Sequence, residues 1–133
     1  MFNHIMLIDD DDVTLLICEL RLKKSDFCEK VTSLLSGSEA IDYFKKQAEL
    51  PEEERNIPDL IFLDINMPAM SGWEFIDEYN KFASILPEIP IAILSSSVDP
   101  EDAEKASFIP CIKGFISKPL TEDSLKKLNR LLE

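Results

Sequence analysis

"PDLIFLDINMPAMSGWEFI", residues 58–76, contains the turn on which the fold depends. PDLIFL (58–63) is a short, nearly continuous apolar run opened by a proline, the pattern of a strand buried on both faces. From Ser71 the pattern changes to a helical one, SGWEFIDEYNKFAS (71–84). Between the two lies a single carboxylate, Asp64, followed by the break Asn66-Met67-Pro68. A buried strand has no use for a charge, and a solvated loop has little use for Met67, Met70 and Trp73. The bend therefore reads as a place where an acid is held in position. Trp73, at helical spacing beside Phe75 and Ile76, reads as partial core.

The same alternation runs outward in both directions. HIMLI (4–8), KVTSLL (30–35), IPIAIL (89–94) and CIKGFI (111–116) read as further strands. The intervening segments read as helices. Residues 12–24 carry Val13, Leu16, Ile17 and Leu20 at spacing i, i+3, i+4, i+7, and a second apolar row, Leu15, Cys18 and Leu22, roughly opposite. Only one row can face a sheet, and periodicity does not say which. Ser36-x-x-Glu39 opens a helix as a capping box. Asp99 with Pro100 starts another as N-cap and first helical residue, and Thr121 caps the last, 121–132. Apolar strands alternating with helices predict a parallel sheet covered on both faces, a doubly wound α/β sandwich. The acidic stretch AELPEEERN (48–56) reads as a solvated loop.

The chain has 133 residues, enough for one domain with a real core. Its formal net charge of -12 disfavours nucleic-acid backbones and anionic membranes, and suits a cation site or basic partners. Cys18, Cys28 and Cys111 are scattered and odd in number, which fits reduced thiols acting as small hydrophobes in a cytoplasmic protein. The single His4, read as a surface residue before the first strand, leaves little room for histidine catalysis. No signal peptide and no membrane-length apolar run is present.

Ligands of such sheets bind beyond the carboxyl ends of the strands. Asp9, Asp10, Asp11 and Asp12 follow the first strand and Asp64 the third. Ser95, Ser96 and Ser97 follow the fourth, and Ser117, Lys118 and Pro119 the fifth. Carboxylates, a hydroxyl and a lysine at one edge suit phosphoryl transfer to a carboxylate. An aspartate, with an ordinary pKa of about 3.9, is already ionised and nucleophilic at neutral pH, so no general base is required. Crowded carboxylates repel, and a divalent cation such as Mg²⁺ (or Mn²⁺) removes that penalty while neutralising phosphoryl oxygens. Asp11 and Asp12 read as loop surface and N-cap.

LIDDDD, FLDINMP, ILSSS and GFISKP, in this order at these strand ends, resemble the receiver domains of two-component response regulators, in the manner of the chemotaxis regulator. The resemblance covers 1–133 as one receiver domain with no output domain. It implies a flavodoxin-like, three-layer fold of five parallel strands in order 2-1-3-4-5 with five helices. It implies Asp64 as phosphoacceptor, and Asp9, Asp10, Asp64 and the backbone carbonyl of Asn66 around Mg²⁺, Asp10 directly and Asp9 through water. Ser95 and Lys118 would contact the phosphoryl oxygens, Ser95 and Phe115 would act as the switch pair, and Lys118–Pro119 would be a cis peptide. Ser71-Gly72 departs from the family's usual Asp-Gly, though Ser71 can still cap the helix that follows. Ser97 falls where side-chain type tunes dephosphorylation.

The implied function is a phosphorylation-dependent signalling switch, not an enzyme in its own right beyond self-phosphorylation and self-dephosphorylation. A histidine kinase or histidine phosphotransfer protein would supply the phosphoryl group, docking on the exposed row of the first helix. A downstream protein would be met by the surface of helix 4, strand 5 and helix 5. The expected state is a cytoplasmic monomer or weak homodimer with no nucleic acid and no membrane. Two alternatives compete. DDDVT (10–14) fits the D-x-D-x-T motif of haloacid-dehalogenase-type phosphatases, with Asp10 as nucleophile, but that reading leaves Asp64 to Pro68 unexplained. A phosphate-independent pseudo-receiver would be expected to lack at least one of Asp9, Asp10, Asp64, Ser95 and Lys118.

Overall fold

A computed structural model describes residues 2–96 and 99–132; Ser97 lies outside the described residues. The elements in chain order are β1 (Phe2–Ile8), α1 (Asp12–Lys24), β2 (Cys28–Leu34), α2 (Gly37–Glu49), β3 (Leu60–Leu63), α3 (Gly72–Asn80), β4 (Ile91–Ser95), α4 (Pro100–Ser107), β5 (Ile112–Ser117) and α5 (Glu122–Leu132). The five strands form one parallel sheet in the order β2-β1-β3-β4-β5, the architecture expected.

Strand alternation builds two cores, one on each face of the sheet. Met6 and Ile8, Ile61 and Leu63, and Ile91 and Ile93 join Phe44 of α2 and Phe75, Ile76 and Tyr79 of α3. Ile5 and Leu7, Leu60 and Phe62, and Ala92 and Leu94 join Leu15, Cys18 and Leu22 of α1 and Leu125 and Leu128 of α5. Thus the inner row of α1 is Leu15, Cys18 and Leu22. The row with the regular helical spacing faces outward: Val13, Leu16, Ile17 and Leu20 are all exposed.

Helix starts follow the residues read for them, with small differences. Ser36 accepts a hydrogen bond from Glu39 N (3.1 Å), but the Glu39 carboxylate reaches one residue further back, to Leu35 N (2.9 Å). Ser71 and Glu74 form a complete capping box, so serine serves the position well. Asp99 accepts from Glu101 N, and Thr121 from Ser124 N. At α1 the cap is Asp11, which accepts from Val13 N (3.0 Å), one position earlier than expected, and Asp12 is the first helical residue.

Two further expectations need correction. His4 is 4% exposed, inside β1, where its Nε2 lies 2.8 Å from Thr32 Oγ1. The strand starts earlier than its apolar run, and β2 covers the imidazole. The acidic stretch after α2 is also less loose than a solvated loop. It contains a 3₁₀ turn at Glu52–Glu54, and the Arg55 guanidinium donates to the carbonyls of Leu50, Ala48 and Ile85. Its glutamates are solvated, but the arginine fastens the segment to the connection between α3 and β4. No helix among the described residues is long and apolar enough to cross a membrane.

Candidate functional site

Strand register brings the site together. Ile8 pairs with Leu63, so the next residues, Asp9 and Asp64, emerge side by side. β1 and β3 are also where the strand order reverses, the crevice in which doubly wound sheets bind ligands. Backbone bonds fix both acids: Asp9 N donates to Leu34 O (3.2 Å) and Asp64 N to Ile8 O (3.0 Å). On the other side Ser95 pairs with Ser117, and Lys118 N donates to Ser95 O (2.7 Å). The Lys118–Pro119 peptide is cis, as expected.

Asp9, Asp64 and Ser95 are buried, at 4%, 5% and 0% exposure, while Asp10 is exposed at the mouth. Carboxylate oxygens of Asp9, Asp10 and Asp64 all lie within 4.8 Å of one another. Lys118 Nζ reaches into this group, 2.7 Å from Asp9 Oδ2 and 3.5 Å from Asp64 Oδ2. Asp9 Oδ1 accepts from Asp11 N (3.0 Å), so both Asp9 oxygens are engaged. Asp64 Oδ1 accepts from Asn66 N (3.1 Å), which orients the carboxylate across the start of the turn. Asn66 is exposed beside it, and Phe115 is half-buried on β5 against the α2–α3 side of the core.

Burial is the main influence pushing the Asp64 carboxyl above its ordinary value of 3.8, opposed by the Asn66 N–H and reinforced by the Asp9 charge. Burial pulls the Lys118 ammonium down, but its hydrogen bond and charge interaction with Asp9, and then Asp64, outweigh that and raise it. The site thus holds one cation among three crowded acids. All its donor atoms are oxygens in the style of a hard divalent ion, and a further positive charge would relieve their repulsion.

The turn after Asp64 is tightly drawn. Met70 N donates to Pro68 O (2.7 Å) around Ala69, whose φ of 65° lies in the left-handed region. Gly72 N then returns to Ile65 O (3.1 Å). A Cβ on Gly72 would lie 2.7 Å from Ile65 Cα and 2.9 Å from Asp64 O, so only glycine lets α3 start against the acid. The structure brings together Asp9, Asp10, Asp64, Ser95 and Lys118. It also shows three features not read in the sequence: the capping role of Asp11, the left-handed Ala69, and Lys105 Nζ lying 4.8 Å from the centroid of the Trp73 ring.

Within the phosphatase-like motif, Asp10 is exposed, Asp11 caps α1, and Thr14 Oγ1 donates to Asp11 Oδ2 (3.1 Å). Of the motif's other two positions, Asp12 is the first residue of α1 and Thr14 is bonded to the α1 cap, so both serve the helix start, and that alternative is not favoured.

Comparison with known proteins agrees with this geometry. The sequence pattern of the response regulator receiver domain matches residues 5–130. The chain is 31% identical to hybrid signal transduction histidine kinase L of Dictyostelium discoideum over 96% of its own length and 7% of that protein's. It is 29% identical to response regulator Rcp1 of Synechocystis sp. over 97% of its own length and 85% of that protein's. The chain spans less than half of other curated relatives, 46% in the case of the cell cycle transcriptional regulator CtrA of Caulobacter vibrioides. A solved two-component response regulator from Cytophaga hutchinsonii superposes with a TM-score of 0.85 at 32% identity, covering 98% of this chain and 97% of that one.

Proposed function

The chain belongs to the response regulator receiver domain family, a family of signalling switches of two-component systems, and from that premise we propose that Asp64 is its phosphoacceptor. The observation that carries this reading is the meeting of Asp64 with Asp9, Asp10 and Lys118 at the crevice between β1 and β3. In the proposed reaction an Asp64 oxygen attacks phosphorus, the phosphorus–nitrogen bond of a phosphohistidine breaks, and the imidazole nitrogen keeps the electron pair. Lys118 and the Ser95 hydroxyl contact the transferred phosphoryl oxygens.

Asp10, Asp64 and the Asn66 carbonyl would hold Mg²⁺ (or Mn²⁺), and Asp9 would act through water; the engagement of both Asp9 oxygens supports that division. The ion, when bound, neutralises phosphoryl charge and the repulsion of the carboxylates. Phosphorylation then draws Ser95 toward the phosphoryl group, Phe115 turns inward, and the surface of α4, β5 and α5 changes shape for a downstream protein. Self-phosphorylation from small phosphodonors and self-dephosphorylation use the same groups. The domain works as a cytoplasmic monomer or weak homodimer, without nucleic acid or membrane.

The phosphoryl donor is a histidine kinase or histidine phosphotransfer protein. Its docking face is the outer row of α1, where Leu16 and Leu20 are 55% and 60% exposed. Transfer from a phosphorylated kinase should reach the wild-type chain and not Asp64→Asn. Leu16→Asp and Leu20→Asp should slow transfer from the protein donor at least tenfold, about the effect of 1.4 kcal/mol, while leaving uptake from a small phosphodonor unchanged. Equal effects on both donors, or on neither, would remove α1 from the docking face.

A further inference from the structure

Of the helices, α4 is the most weakly anchored. Among its described residues only Ala106 is buried, and its C-cap Phe108 is 77% exposed. By contrast, α3 buries Gly72, Phe75, Ile76 and Tyr79. A cation–π contact ties the loose helix to the firm one. Lys105, in the last turn of α4, holds its ammonium 4.8 Å from the centroid of the Trp73 ring, in the first turn of α3. Trp73 is half-buried and packs against the core, so it is the fixed member of the pair. Its backbone follows Gly72, which is pressed against Asp64 O and Ile65. The contact therefore runs from α4 almost directly to the turn that carries Asp64.

We propose that Lys105 is a positioning residue: through the face of Trp73 it holds α4 in the arrangement without a phosphoryl group and so restrains occupation of the Asp64 site. The link from α4 to phosphoryl binding rests on the function proposed above. A cation over an indole is attracted by the ring quadrupole, and at a partly exposed site this shifts an equilibrium by about two- to fivefold. A contact made in one arrangement and lost in the other biases the pair by that factor, and site occupancy responds in the same measure.

The test compares wild type, Lys105→Met and Lys105→Arg. Methionine keeps an unbranched stem and good helix propensity without the charge, and arginine keeps a cation that stacks on aromatic faces. Two quantities are measured: hydrogen exchange of the backbone amides of 101–107 in the unliganded protein, and affinity for beryllofluoride, a phosphoryl mimic, with Mg²⁺ present. Lys105→Met should exchange about two- to fivefold faster and bind beryllofluoride tighter by a similar factor, with Lys105→Arg close to wild type in both. Wild-type exchange in Lys105→Met would show that the contact does not hold α4. Faster exchange with unchanged affinity would remove the positioning role, as would an arginine variant that behaves like methionine. Should wild type bind no beryllofluoride at all, the proposed function falls, and the hold on α4 is judged by exchange alone.

Discussion

At the scale of single residues, this chain places charge and polarity inside where a surface position would cost nothing. His4 is the clearest case away from the site. Its Nε2 meets Thr32 Oγ1, its Nδ1 has no hydrogen-bond partner among the described residues, and burial followed by the charge of Lys30 holds the imidazole below its ordinary value of 6.5. Because the folded value is the lower one, the unfolded chain takes up this proton first. The stabilising contribution is complete above pH 6.5 and is lost as pH falls through the folded value. His4→Gln should therefore show a flatter decline of melting temperature with acidification below pH 6.5 than wild type; parallel declines would mean that His4 titrates alike in both states. Its burial was not legible because one polar residue at the start of an apolar run looks like a strand's entrance. Only the pairing of β1 with β2, which extends back to Phe2, encloses it. Asp64 was legible for the opposite reason. An acid ending an apolar strand has few structural uses, and partners at the other strand ends identified its setting.

At the scale of elements, α1 shows where periodicity stops informing. Both of its faces are apolar, so spacing alone cannot rank Val13, Leu16, Ile17 and Leu20 against Leu15, Cys18 and Leu22. The choice is made by the side chains α1 must meet, those of β1, β3 and α5 in the second core. Leu22→Ala should cost about 2–5 kcal/mol in denaturant unfolding, since Leu22 is fully buried. Leu16→Ala should stay within about 0.5 kcal/mol of wild type. The reverse order would mean that the regular row faces the sheet. The helix caps were easier to read, because a capping side chain acts within its own few residues. Even so, the shift of the α1 cap to Asp11 shows that four consecutive aspartates leave the choice to the path of the chain out of β1. The Lys105–Trp73 contact could not be read in the same way, since it joins two helices whose separation only the packed sheet determines.

At the scale of the whole molecule, the parallel register is what turns a scattered set of residues into a site. Asp9 and Asp64 are far apart in sequence and adjacent only because Ile8 pairs with Leu63, while Ser95 and Lys118 are joined through β4 and β5. The arrangement is costly: three carboxylates share a space within 4.8 Å, Asp9 and Asp64 are both buried, and burial holds the Asp64 carboxyl above its ordinary value. Under the function proposed above, a cation and a phosphoryl group would meet these charges and offset their repulsion. The most direct measurement is intact mass after incubation with acetyl phosphate. With Mg²⁺ the wild-type chain should gain a single phosphoryl group, removable on standing, and should gain none when the ion is chelated or when Asp64 is replaced by asparagine. An equal gain in Asp64→Asn, or no gain in wild type with Mg²⁺, would contradict the assignment of Asp64 as the acceptor.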